Sequence, residues 1–294
     1  MNLNNNNVNE ENSSRVYALF YSFFLLPLTI VILLGIFAGG YFYIKYSLVY
    51  ETADPMHYLN NIKIGAASKR WQSAYELSKI LANPELVPKS DSFSNQIISM
   101  YKKSIHDDPK VRTYLALAMG ITKNEKYLNT LLEGLNDNDI ASRIAAIKAI
   151  GMLKKTESAK KIVRFLDSNF TDQEKLECII TLGELGNKSV IPDIKNMLIY
   201  EEPNIRWDAA IALAKLGDQS GKSIILSLLD REYYKNFKQV DQKEIEKAMY
   251  IAIQTTRFFS DNAFVSKLKN LANYDSSILI KKLAKEVLEE KDSI

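Results

Sequence analysis

Cysteine and histidine are nearly absent from this sequence. Its 294 residues hold one cysteine, Cys178, and two histidines, His57 and His106, so neither an internal disulfide nor a cysteine metal cluster can form. The histidines stand far apart, without an acidic neighbour at a ligand spacing, which leaves routine zinc and di-iron sites without their ligands. Charge imbalance is missing too: a formal net charge of +3 gives no reason to expect nucleic acid or an anionic surface as partner. There is no glycine-rich phosphate loop, no nucleophile elbow and no run of alternating β-branched residues. Strands drop out, an all-α fold remains, and with no catalytic, metal or cofactor constellation the chain is expected not to be an enzyme.

What is present is unevenly spread. Residues 1–14, MNLNNNNVNEENSS, are polar and asparagine-rich and are expected to be disordered. Between Arg15 and Lys45 the run VYALFYSFFLLPLTIVILLGIFAGGYFYI carries no charge and exceeds the roughly 20 residues that a helix needs to cross a hydrocarbon core. Tyr17 and Tyr21 at one end, and Tyr41, Tyr43 and Tyr46 at the other, mark its limits as interfacial rings do. Residues 15–46 are therefore expected to form a single transmembrane helix. A cleaved signal peptide would show a basic leading segment and a shorter run. Gly35 and Gly39 form a small-xxx-small pair through which a second copy can approach to make a homodimer, although glycine is also simply common in membrane helices. Arg15 before the run, against Lys45, Lys63, Lys69 and Arg70 after it, places the C-terminal part on the cytoplasmic side of an inner membrane, and a free thiol agrees with that side.

Past residue 57 apolar positions recur three and four apart, the mark of amphipathic helices. Four segments align on a basic residue: PKVRTYLALAMGI at 109–121, DIASRIAAIKAIGML at 139–153, QEKLECIITLGELG at 173–186 and PNIRWDAAIALAKLG at 203–217. The anchors Arg112, Arg143, Lys175 and Arg206 are 31, 32 and 31 residues apart. Gly120, Gly151 and Gly183 lie eight residues after an anchor, Gly186 and Gly217 eleven after, and all five are expected to end the first helix of a unit. Ala116, Ala145, Ala146, Ala209 and Ala210 let first helices pack closely. Asp108, Asp139 and Glu202, four before an anchor, are placed to cap a helix or to pair along it. Second helices then read KYLNTLLEGL, SAKKIVRFL, SVIPDIKNML and GKSIILSLL.

These residues resemble the HEAT-like repeat family, in its short bacterial, PBS-lyase-type units. The resemblance implies a right-handed α-solenoid of antiparallel helix pairs over residues 105–230. Residues 47–104 form a juxtamembrane segment with a diverged first unit, SKRWQSAYELSKIL, anchored by Arg70. Its stretch 82–104, with two prolines, is expected to be a loop. Residues 231–294 are expected to be helical and to cap the array, shielding its last apolar face.

Di-iron hydroxylases of similar fold use His-Glu pairs, and this sequence has none. Similar arrays among the bilin lyases and maturation factors show no simple diagnostic motif, and repair glycosylases of similar fold combine a basic concave groove with aromatic residues, a role open to Trp71 and Trp207, and an acidic group, so a modification, maturation or repair enzyme working through the groove stays open as the alternative. Trp71 and Trp207, each directly after an anchor, are expected to pack between units, and Cys178 to be a core residue. If second helices line the concave side, Lys126, Lys160, Lys161, Arg164, Lys188, Lys195 and Lys222 make a moderately positive groove suited to an acidic peptide or helix of a protein partner; otherwise they are a solvated face. The expected function is a membrane-anchored interaction scaffold, with nucleic acid not expected among its partners.

Overall fold

The computed structural model describes residues 26–49, 54–237 and 240–292. It divides into two units, Met1–Ala53 and Asp54–Ile294. In the first, a helix α1 runs from Leu26 to Val49, and its described side chains from Leu28 to Ile44 are exposed. Among the described residues no helix is long and apolar enough to cross a membrane, so the structure lends the expected anchor no support. The first part of that span, residues 15–25, lies outside the described residues, as does the stretch 1–14 expected to be disordered.

Every described regular element of the second unit is helical. After α2 (Pro55–Ile64) come α3 (Ala67–Ile80) and α4 (Asp91–Lys103), followed by four pairs. Their first helices are α5 (Pro109–Ile121), α7 (Ile140–Leu153), α9 (Asp172–Leu185) and α11 (Pro203–Lys215), and their second helices are α6 (Leu128–Gly134), α8 (Ala159–Ile162), α10 (Ile191–Asn196) and α12 (Lys222–Leu228). A last group follows: α13 (Gln242–Thr255), α14 (Asn262–Tyr274) and α15 (Ile278–Asp292). The stretch 82–104 is no loop. Pro84 opens a short 3₁₀ turn, and Ser90 then accepts a hydrogen bond from the Phe93 N–H, starting α4 beyond both prolines.

Local chemistry explains the helix starts. Asp108 and Asp139 accept backbone N–H groups of α5 and α7, with Pro109 in the first turn of α5, where its missing donor is not needed. Thr171 with Glu174 and Asp241 with Glu244 form reciprocal capping boxes on α9 and α13. Gly186 and Gly217 end their helices at φ +72° and +80°. The glycines eight after the anchors do something else: the helices run through them, and a methyl on Gly120 would sit 2.6 Å from the Ala149 Cα, one on Gly183 2.9 Å from the Ala212 Cα. They are points of close helix approach, not ends.

That closeness sets the curvature. Successive first helices from α3 to α11 pack directly on one another, whereas second helices meet their equivalents at only a few points. A stack whose layers are closer on one side bends toward that side, so the first helices line the concave face. The second helices then form the outer layer.

The core falls into two clusters. One runs from Leu59 to Leu216, the other from Trp207 to Val287. Helix α11 serves both: Ile205, Ala209, Ala212 and Leu213 face the first, and Trp207, Ala210 and Ala214 the second. Between α12 and α13 a 3₁₀ segment, Arg231–Asn236, enters as a wedge, with the rings of Tyr234 and Phe237 5.9 Å and 5.3 Å from that of Trp207.

Candidate functional site

The basic anchors are tied into the array. Buried Arg112 donates through Nε to Asp137 Oδ2 at 2.6 Å, through Nη2 to Oδ1 at 3.1 Å, and through Nη1 to the Ser104 carbonyl at 2.7 Å. Arg143 repeats this one unit on, with Glu174 Oε1 at 2.7 Å and the Asp137 carbonyl at 2.7 Å. Burial pushes the Glu174 carboxyl up, but hydrogen bonds from Arg143 and Thr171 outweigh it and hold the group below the usual range. Arg70 bonds the Ile62 carbonyl at 2.9 Å and pairs with Asp107. Lys175 reaches the Phe170 carbonyl, and Arg206 reaches those of Tyr200 and Glu201, each at 2.7 Å. Each anchor thus closes the end of the preceding segment, and three also clamp a carboxylate.

The second-helix cations are placed on the outer layer, and most are engaged there. Lys126 pairs with Asp91, Lys195 with Asp218 at 2.8 Å, and Lys222 with Asp261, while Arg164 donates to the Leu135 carbonyl at 2.9 Å and to Asn136 Oδ1 at 2.8 Å. Lys160, Lys161 and Lys188 are exposed. The first two border, with Arg164, an open depression of about 600 Å³ between α6 and α8.

The concave face is of another character. Tyr75 on α3 and Tyr114 on α5 meet edge to face at 5.1 Å. Farther along, a cleft of about 360 Å³ opens between α9, α11 and α13, lined by Leu176, Ile180, Trp207, Ile211, Val240 and Ile251 together with Asp208, Glu244 and Lys247. Ile180 remains 38% exposed in this apolar wall, and Trp207, 6% exposed, closes the floor while its indole N–H donates to Tyr233 Oη at 3.1 Å. Trp207 therefore packs between units, as expected, and also bounds the cleft. Trp71 lies under the Lys110 ammonium, 4.8 Å from its ring centre.

Two carboxyls of this face escaped the sequence reading. Burial pushes Asp208 up to about 6, against the pull of Lys215 and Lys247 and with a further push from Glu177. Burial likewise raises Glu177, opposed by Lys148 and reinforced by Glu184. Both stand two residues after an anchor. The signal was an acid inside otherwise apolar first-helix stretches, LECII and WDAAI. Cys178, beside Glu177, points the other way into the core: its thiol donates to the Ile162 carbonyl at 3.3 Å, and burial, then Asp193 and Glu177, push it well up.

Residues 96–174 and 168–242 match the model of HEAT repeats, together half of the chain. No protein of curated function matches the sequence. Among solved structures, a chain of the complex of CpcE and CpcF of phycocyanin lyase from Nostoc sp. PCC7120 is 17% identical with a TM-score of 0.54, over 81% of this chain and 94% of that one. Human deoxyhypusine hydroxylase in complex with glycerol is 12% identical with a TM-score of 0.35, over 82% of this chain and 85% of that one. The expectation that the chain is not an enzyme is overturned at this point. A helical array of this kind serves in a lyase, so the absence of a familiar motif does not place the chain outside catalysis.

Proposed function

The chain belongs to the HEAT-repeat family, and from that premise we propose that it is a protein-binding array whose concave cleft between α9, α11 and α13 holds a partner protein. The observation that carries this is the uncovered apolar wall of Ile180, Ile211 and Ile251 beside the half-buried Asp208 carboxyl, with Glu177 nearby on α9, a surface that hydration disfavours and a partner would cover. The named neighbour, a complex of two chains, supports partnership as the way such arrays work. Lys160, Lys161 and Lys188 enter the proposal as peripheral contacts of the outer layer.

The test is photo-crosslinking in intact cells, with benzoylphenylalanine at Ile211 on the concave face or at Lys160 on the outer one. A reproducible adduct from Ile211 alone is the expected result. Adducts from Lys160 alone would move the site to the outer layer, and self-adducts alone would end the docking reading.

A membrane tether is the finer part of the proposal. It rests on the charge-free run from Val16 to Ile44, its tyrosine borders and the flanking basic residues, with the array on the cytoplasmic side of an inner membrane. The full chain is expected to stay with the bilayer in alkaline carbonate, and recovery in the supernatant would remove the tether. An Asn5→Cys label accessible from outside in intact cells is expected, and labelling only after permeabilisation would reverse the orientation.

A second reading is favoured by Asp208 itself. A carboxyl pushed up to about 6 in an apolar cleft is suited to donate a proton near neutrality, so the array would modify the partner it holds. In that case Asp208→Asn abolishes turnover while the Ile211 adduct persists.

A further inference from the structure

We propose that the partner segment seated in this cleft is an amphipathic helix that places a lysine or arginine between Glu177 and Asp208 and its apolar face on Ile180, Ile211 and Ile251. The inference rests on the docking reading above and names the chemistry of its occupant.

Three observations lead to it. The cleft is walled by side chains of α9, α11 and α13, helices whose backbone groups are already satisfied internally, so it offers no ladder to an extended peptide. A helix brings its own backbone bonds and needs only side-chain complementarity. Next, neither Asp208, which lines the cleft, nor Glu177 on the neighbouring α9, near enough to push the Asp208 carboxyl up, has a hydrogen bond or ion pair among the described residues, although burial weighs on both. An incoming cation would meet them in a site from which the apolar wall excludes water, where opposite charges attract more strongly than on an open surface. Last, the charges are ordered along the array: Lys148 on α7, Glu177 on α9, Asp208 on α11, and Glu244 with Lys247 on α13. A negative centre selects a segment with a basic middle, and the lysines on either side of it, Lys148 and Lys247, meet acidic residues nearer its ends. At roughly 10 Å between neighbouring helices and 1.5 Å per residue, the acidic residues belong about seven or more positions from the basic one.

The probes are three synthetic amphipathic helices with the same leucine-rich face, acidic ends, and a central Lys, Gln or Glu. Each is titrated against the full chain in lipid nanodiscs at pH 7.5 by fluorescence anisotropy. The Lys peptide is expected to bind at least ~10-fold tighter than the Glu peptide, a preference that falls to within about twofold in Asp208→Asn combined with Glu177→Gln. Both changes are near-isosteric, and an unchanged melting temperature or a modest rise shows that the fold is kept. Between pH 7.5 and 5 the Lys peptide is expected to lose affinity as Asp208 takes up a proton. The groups facing Asp208 across that range are Lys215 on its own helix, Glu177 from α9, and Glu244 and Lys247 from α13.

Equal affinity of the three peptides, or a preference that survives the double substitution, would overturn the inference. So would the absence of binding by all three. None of these outcomes touches the Ile211 crosslink, which judges the docking reading separately.

Discussion

Asp208 weighs on the folded chain at neutral pH. Its pKa rises from an ordinary 3.8 to about 6 on folding, so the folded state binds the proton more tightly. The stabilisation linked to that proton is fully present below pH 3.8 and is lost as pH rises through about 6. Asp208→Asn is therefore expected to stabilise the chain by about 1–2 kcal/mol at pH 7, after discounting for partial exposure, and by nothing measurable at pH 3.5. Urea midpoints at the two pH values check this; a variant weaker than the parent at pH 7 would refute it. Arg112 is the opposite case, because its removal leaves the buried Asp137 carboxylate without a counter-charge and with only the Asp139 N–H donating to it. Arg112→Met is expected to cost about 3–5 kcal/mol, whereas Arg206→Met, which loses two carbonyl contacts, costs about 1–2 kcal/mol. Chemical denaturation gives the ranking, and equal losses would deny that the clamped carboxylate matters. The anchors themselves were legible from their spacing. Their carboxylate partners were not, because Asp137 and Glu174 stand in the following unit while Asp108, Asp139 and Glu202 cap their own helices.

Helix ends and helix contacts use the same residue types, which is why they were confused in the sequence. Gly120 looks like punctuation but marks a contact with Ala149, so Gly120→Ala is expected to cost about 1–3 kcal/mol by forcing α5 and α7 apart. A thermal shift within a degree of the parent would refute it. The true ends lie three residues later, and there the glycine rule hid half the cases. Lys123 and Lys154 hold the position of Gly186 and Gly217 and take φ of +53° and +54°. Such a backbone strains any residue with a Cβ, so Lys123→Gly is expected to stabilise by about 0.5–1 kcal/mol. Helix α4 was lost to the reading because its prolines were weighed and the Ser90 cap behind them was not. Which layer faces inward was not legible either, since it follows from helix spacing, not from any residue's character.

Two clusters that share only one helix need not open together. The buried side chains of α13 to α15 belong to the second cluster, and packing into both is carried by α11 and by Leu198 in the 3₁₀ turn just before it. Amides of 242–292 are therefore expected to exchange through an opening of lower free energy than those of 109–185, as in a stack whose stability is a sum over neighbours. Native-state hydrogen exchange measures both, and a single common opening energy would show one cooperative block instead. The sealed thiol of Cys178, midway along the first cluster, makes the molecule its own stopwatch. With one sulfhydryl in 294 residues, an alkylating reagent gains entry only when the middle of the stack parts, and each adduct records one such excursion without any engineered reporter.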